Sequence, residues 1–170
     1  MSIVVMGVSA VGKSSVGVAL AALLGMPFVD GDDLHPPANV AKMSAGIALT
    51  DADRWPWLGA VAECLRDDGD LVMACSALTR AYRDRIRDGA PQTAFIDLWG
   101  EPHLLAARAA ARADHFMPAS LLESQLAIYE PLGTDELGIR LDVSADPPTL
   151  ARAAAEWFGR RDASSNSACR

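Results

Sequence analysis

The sequence predicts a single α/β domain in three layers, a five-stranded parallel sheet flanked by helices on both faces. Three observations carry that expectation. Short β-type apolar runs alternate with longer helical segments along the chain. The runs are almost continuously hydrophobic, as burial on both faces of a parallel sheet demands. The length, 170 residues, suits one hydrophobic core and is short for two domains.

The elements follow in order. Ser2–Met6 opens the chain as a strand of consecutive apolar residues, and Lys13–Leu24 follows as a helix after a glycine turn. Pro27–Val29 is a short second strand. Pro36 opens a brief helix that ends before Gly46, since proline suits a first helical turn and glycine its end. Asp51–Asp67 is a longer helix with Thr50 or Asp51 as N-cap. The strand Leu71–Cys75 leads into the helix Thr79–Arg87, and the strand Thr93–Leu98 into the helix Pro102–Ala113. Pro118–Tyr129 forms another helix, Ile139–Val143 the fifth strand and Pro147–Phe158 the last helix, so that three helices begin at proline besides the brief one at Pro36. Residues 159–170 are small and polar without hydrophobic periodicity, which predicts a disordered tail carrying Cys169. Residues 1–158 then make one domain, with no internal repeat.

Composition excludes several functions. Acidic residues outnumber basic ones 22 to 15, for a net charge of −7, which argues against nucleic-acid and anionic-membrane partners. The longest run free of polar side chains, Val16–Val29, spans 14 residues and contains two glycines and a proline, too short for a membrane span. No signal-peptide pattern opens the chain. Cys64, Cys75 and Cys169 are odd in number and form no CxxC pair, so neither a disulfide framework nor a zinc site is expected, and a cytoplasmic location fits. Only Lys13 and Lys42 are lysines; the other basic residues are arginines, suited to bidentate recognition of carboxylate and phosphate. Residues 76–112 hold six arginines against four acids, so a focused anion pocket remains compatible with the acidic whole.

Directly after the first strand stands Gly7-Val8-Ser9-Ala10-Val11-Gly12-Lys13-Ser14, which fits G-x-x-x-x-G-K-[ST] at every fixed position. Such a loop curls its backbone N–H groups around one phosphate, at the positive end of the helix that follows. Lys13 neutralises the β and γ charges and Ser14 can ligate Mg²⁺. The motif gives a nucleoside-triphosphate site. Asp97-Leu98-Trp99-Gly100 formally matches a D-x-x-G switch pattern, without the N-K-x-D that would read guanine. The strand Leu71–Cys75 ends in Ser76 and carries no carboxylate, so the acidic partner of the metal falls to Asp30-Gly31-Asp32-Asp33.

Further islands follow in order. They are Asp30-Gly31-Asp32-Asp33-Leu34-His35-Pro36, Asn39 with Lys42-Met43, and Leu49 through Leu58. Cys75-Ser76-Ala77-Leu78, Arg80, Tyr82-Arg83-Asp84, His115-Phe116-Met117-Pro118 and Ser124-Gln125 complete the series. With these the chain, from Ile3 to about Pro131, resembles the small P-loop gluconate kinases, relatives of the shikimate and nucleoside monophosphate kinases. Ala10-Val11 stands where Gly-Ser is usual and Thr79 where Lys is usual. The two loop changes occupy variable positions and are expected to leave its backbone contacts intact.

The resemblance implies a P-loop kinase fold with a substrate-binding helical insertion at about 34–68 and a mobile lid at about 108–120. It implies transfer of the γ-phosphoryl group of ATP to the 6-hydroxyl of D-gluconate, with Mg²⁺, giving 6-phospho-D-gluconate for carbohydrate catabolism. It also suggests a homodimer. Spacing alone does not separate gluconate from shikimate or another hydroxy acid, and the P-loop with Asp97-x-x-Gly100 leaves a nucleotide-dependent switch or binding module as a further alternative.

Each chemical need of phosphoryl transfer has a candidate. Gly7, Val8, Ser9, Ala10, Val11, Gly12, Lys13, Ser14 and Ser15 form the nucleotide cradle. Asp32 orients or deprotonates the acceptor hydroxyl, and Asp30 holds Mg²⁺ through water, by similarity to shikimate kinases; helix capping is the alternative for both. Arg54 pairs with the gluconate carboxylate or with Asp51 or Asp53. His35 and Lys42 are ligand contacts or local structural groups. Ser76 follows a buried strand into the crevice. Arg80 and Arg83, three apart on one helical face, are expected to bind the acceptor, the alternative being a solvated basic stripe. Arg108 and Arg112 bracket the nucleotide, Arg108 on adenine and Arg112 on the transferring group, or else pair with Glu101 or Asp114. His115 contacts substrate or anchors the lid. Cys75 is a buried small hydrophobe.

Overall fold

The computed structural model describes residues 1–111 and 120–167. Its elements run β1 (Ile3–Met6), α1 (Lys13–Leu24), β2 (Phe28–Asp30), a 3-10 turn (Gly31–Leu34), α2 (Pro37–Ser44), α3 (Asp51–Asp67), β3 (Val72–Ala74), α4 (Arg80–Gly89), β4 (Ala94–Trp99), α5 (Pro102–Ala111), α6 (Ser120–Ile128), β5 (Gly138–Asp142) and α7 (Pro147–Ser167). The strands form one parallel sheet in the order β2-β3-β1-β4-β5. From β1 the chain first lays down β2 at one edge, returns to insert β3 between β2 and β1, and then crosses to the other side for β4 and β5. The carboxyl ends of the strands beside β1 therefore open a crevice of the kind that takes ligands in doubly wound sheets.

Successive side chains of a strand face opposite ways, and β1 feeds two cores accordingly. Ile3 and Val5 join Leu20 of α1, Leu105 of α5, Leu122 of α6 and Ala151 and Phe158 of α7. Val4 and Met6 join Trp57, Leu58 and Val61 of α3 and Tyr82 and Ile86 of α4 on the other face. This is the three-layer arrangement expected. Full burial holds for β1 and β3, whereas β2 and β5 are largely half-buried. They are the two edges, each paired on one side only.

Helix α3 begins with a reciprocal cap. The Asp53 N–H donates to Thr50 Oγ1, and the Thr50 N–H donates to Asp53 Oδ2 at 2.9 Å, satisfying two otherwise orphaned donors for about 1 kcal/mol. One expectation fails at the C-terminus. Residues 159–167 continue α7 instead of forming a disordered tail. No proline interrupts them, and side chains four apart support the helix: Arg160 pairs with Glu156 at 3.8 Å and Arg161 lies 5.0 Å above the Trp157 ring. Extending an existing helix avoids the cost of nucleating one. Cys169 lies outside the described residues.

Candidate active site

The glycine-rich loop joins β1 to α1 at the crevice. Gly12 caps α1 with φ 103°, in the left-handed region that favours glycine. Ala10 also has a positive φ, 62°, which costs a residue with a Cβ about 1–2 kcal/mol. The position is chemically variable but conformationally demanding, so the change from the usual glycine is less neutral than its place in the motif implies. Lys13 Nζ donates back to the Val8 carbonyl at 3.1 Å. Ser14 is exposed in the first turn of α1 and donates from Oγ to Asp30 Oδ2 at 2.9 Å. Ser15, beside it, is exposed on α1.

Asp30 ends β2 and caps the 3-10 turn, accepting the Asp32 N–H on Oδ1 at 3.1 Å. The turn is pinned from two sides. A Cβ on Gly31 would stand 2.6 Å from the Ala74 carbonyl oxygen, and the Gly31 carbonyl accepts the Trp57 indole N–H at 2.8 Å. Trp57 also stacks on His35, centroids 4.1 Å apart. Burial lowers the His35 pKa below its ordinary 6.5, Asp32 works against that and Arg54 with it, so the ring is neutral at pH 7. The Asn39 amide meets His35 Nδ1 at 3.3 Å and donates to the Asp53 carbonyl at 2.9 Å.

Arg54 is held from α4: its Nη1 donates to the Tyr82 hydroxyl at 2.9 Å, and Asp51 lies 3.4 Å away. The Tyr82 hydroxyl itself donates to Asp51. Both alternatives for Arg54 therefore meet in one place, since the residue is paired with Asp51 yet also lines a pocket. That pocket collects Lys13, Asp32, His35, Arg54, Ser76 and Trp57, with Met43, Leu49, Leu78, Ser124 and Gln125 completing the wall. A phosphate-loop lysine, a carboxylate and a guanidinium thus share one cavity.

Other predicted residues are engaged elsewhere. Arg83 is 1% exposed and forms a bidentate pair with Glu136, Nε–Oε1 at 2.8 Å and Nη2–Oε2 at 2.7 Å. Arg80 makes a bidentate pair with Asp135, at 3.0 and 2.7 Å, outside the pocket. The two arginines do share a face, but the anions they meet are the protein's own acids, so the expected acceptor role is corrected for both. Thr79, in the place of the usual lysine, is the N-cap of α4. Lys42 ties α2 to α3 through Asp53 at 2.6 Å; this bond, with those from Thr50, holds the Asp53 pKa down to about 2. Lys42 is a strut here and does not line the pocket. Arg108 donates from Nη2 to the Val143 carbonyl at 2.9 Å, beside the loop between β5 and α7. Arg112 and His115 lie outside the described residues.

The D-x-x-G match has no counterpart in the crevice. Asp97 is fully buried, accepts the Tyr129 hydroxyl at 2.8 Å and the Leu132 N–H at 3.1 Å, and lies 3.4 Å from Arg140. Burial raises its pKa against those bonds. Its carboxylate anchors the segment before β5. Cys75 is likewise buried, which pushes its thiol pKa up to about 12 and removes it from nucleophilic chemistry.

Comparison with known proteins decides the family. A family model described as an AAA domain matches residues 3–132. Gluconokinase from Gluconobacter oxydans (strain 621H) is 44% identical over 164 residues, spanning 94% of this chain and 92% of that protein. The chain belongs to the gluconokinase family. A gluconokinase structure from Sinorhizobium meliloti 1021 superposes with a TM-score of 0.81 at 47% identity, covering 94% of this chain and 96% of that one. An unliganded sugar kinase from Janibacter sp. HTCC2649 gives a TM-score of 0.89 at 43% identity, covering 93% and 94%. Within this gluconokinase fold, two wall residues and one residue behind the wall carry no role in the sequence reading. Trp57 and Tyr82 stand inside recognised motifs, but nothing local links the Trp57 indole to Gly31 or the Tyr82 hydroxyl to Arg54. Gln125 likewise gave no sign of its contact with the phosphate loop.

Proposed function

We propose that this protein transfers the γ-phosphoryl group of ATP to the 6-hydroxyl of D-gluconate. The observation that carries the reading is the single cavity shared by Lys13, Asp32 and Arg54. Lys13 binds the β and γ phosphates. Asp32, whose side chain is 45% exposed on the pinned turn, accepts the proton of the attacking hydroxyl or orients it. Arg54 receives the sugar-acid carboxylate in place of part of its contact with Asp51, and Tyr82 keeps the guanidinium in position. His35, neutral and stacked on Trp57, offers a hydrogen bond to the polyol, and Ser76 another. Arg108 covers the adenine beside the β5–α7 loop.

The donor set fits a hard divalent ion. Ser14 Oγ and the Asp30 carboxylate are adjacent, and among the described residues no group of three acidic, His or Cys side chains is arranged to hold a metal ion by itself. That pattern suits Mg²⁺, which takes one or two protein oxygens and completes its shell with phosphates and water. Ser14 would hold it directly and Asp30 through water; when bound, it neutralises charge on the phosphates. Positioning and charge neutralisation then supply the catalysis, since phosphoryl transfer asks for little covalent chemistry from the protein.

The test is a coupled assay of ADP release with ATP, Mg²⁺ and a panel of sugar acids that includes gluconate and shikimate. Gluconate is expected to give the highest kcat/KM. Turnover with another acid and none with gluconate would overturn the acceptor assignment.

A further inference from the structure

The phosphate loop is met from α6 by a contact that the roles above leave unused. The Ser9 N–H donates to Gln125 Oε1 at 2.6 Å, across 116 residues of sequence. A backbone N–H only donates, so the oxygen of the carboxamide must face the loop and its NH₂ is the opposite, donor end. Ser9 is the third residue of the motif, and Gln125 lines the cavity that also holds Lys13 and Asp32. A phosphoryl group leaving the lysine for an acceptor beside Asp32 passes through that cavity.

We propose that Gln125 reads the γ-phosphoryl group, its Oε1 fixing the Ser9 peptide and its Nε2 donating to the oxygens of the group in transfer. The chemistry suits the place. A neutral amide supplies a donor without adding to the charge of Lys13, and the bond from Ser9 fixes where its carboxamide stands beside the loop. The carbonyl of the same Val8–Ser9 peptide accepts from Lys13 Nζ at 3.1 Å, so the peptide that Gln125 grips is also the one the lysine touches. The inference rests on the ATP-dependent reading above and adds a residue to it.

Two variants test it, and nucleotide binding needs no acceptor. Gln125→Glu keeps an oxygen for Ser9 but places a negative charge where the γ-phosphate would lie. Titrated calorimetrically with Mg²⁺, its affinity for a non-hydrolysable ATP analogue relative to ADP is expected to fall by about tenfold or more. Gln125→Ala removes the donor, and kcat with gluconate is expected to fall about 10- to 100-fold. Equal weakening of both nucleotides in Gln125→Glu would make the residue a strut of the loop and overturn the proposal. So would an unchanged kcat in Gln125→Ala. A wild-type protein that binds both nucleotides but leaves gluconate untouched would strike the acceptor assignment alone, because the ATP-to-ADP ratio still reports on Gln125.

Discussion

Replacing Arg83 separates a structural arginine from a substrate-binding one. Its guanidinium is 1% exposed and reaches the Glu136 carboxylate, likewise 1% exposed. It also donates to the carbonyls of Glu130 at 3.0 Å, Pro131 at 3.3 Å and Ala77 at 3.4 Å. Arg83→Met keeps much of the volume but leaves Glu136, among the described residues, with Arg87 at 2.9 Å and the Gly133 N–H at 2.8 Å. Removing one partner of a buried pair costs about 3–5 kcal/mol, a large share of the roughly 5–15 kcal/mol that holds a domain folded. In a chain of this size that is a drop in Tm of roughly 6–20 °C.

The same contacts have a signature in acid. Burial works to raise the Glu136 pKa, but Arg83, the Gly133 N–H and Arg87 outweigh it and hold the value down at about 2, against an ordinary 4.5. A carboxylate depressed in the folded state contributes stability that is complete above its ordinary value and is lost as pH falls toward the folded one. Arg83→Met should therefore bring the acid unfolding edge to higher pH. Urea unfolding at neutral pH and between pH 5 and 2, with gluconate saturation curves on the folded fraction, reads all of this. An Arg83 variant of unchanged stability with a sharply raised gluconate KM would refute the structural assignment and return Arg83 to the pocket.

Four further variants have expected outcomes. Lys13→Ala should lower kcat about a thousandfold or more while the fold, checked by circular dichroism, persists; near-normal turnover would remove the loop lysine from the chemistry. Arg54→Ala should raise the gluconate KM about 10- to 100-fold with a smaller change for ATP, and Tyr82→Phe should raise it less. An ATP KM that moves as much as the gluconate KM would place Arg54 on the wrong substrate. Ala10→Gly should raise stability by about 1 kcal/mol, measured as a higher urea midpoint, because it relieves the left-handed strain; a lower midpoint would show that the loop tolerates alanine without cost.

The parts written in local spacing were legible from sequence. The phosphate loop, the strand before it and the helix after it follow from a run of eight residues, and the order of apolar runs reproduced the parallel sheet. What sequence spacing could not supply was the identity of distant partners. Arg80 and Arg83 were placed on one face correctly, but that face is covered by Asp135 and Glu136, more than fifty residues on. The acid–arginine ambiguity at Arg54 was open for a physical reason, since the side chain lies against Asp51 and also lines the pocket. Gln125 was visible as a motif residue and invisible as a neighbour of Ser9. The tail was misread because polar composition is a weak argument against continuing a helix already nucleated by Pro147–Phe158.

The most direct measurement follows the phosphorus itself. Wild-type protein, ATP, Mg²⁺ and D-gluconate are incubated and observed by ³¹P NMR. The γ-phosphate resonance of ATP should be replaced, one for one, by that of a primary phosphate monoester coupled to the C6 protons of gluconate. Appearance of inorganic phosphate in its place, or an ATP spectrum unchanged by gluconate, would contradict the assignment.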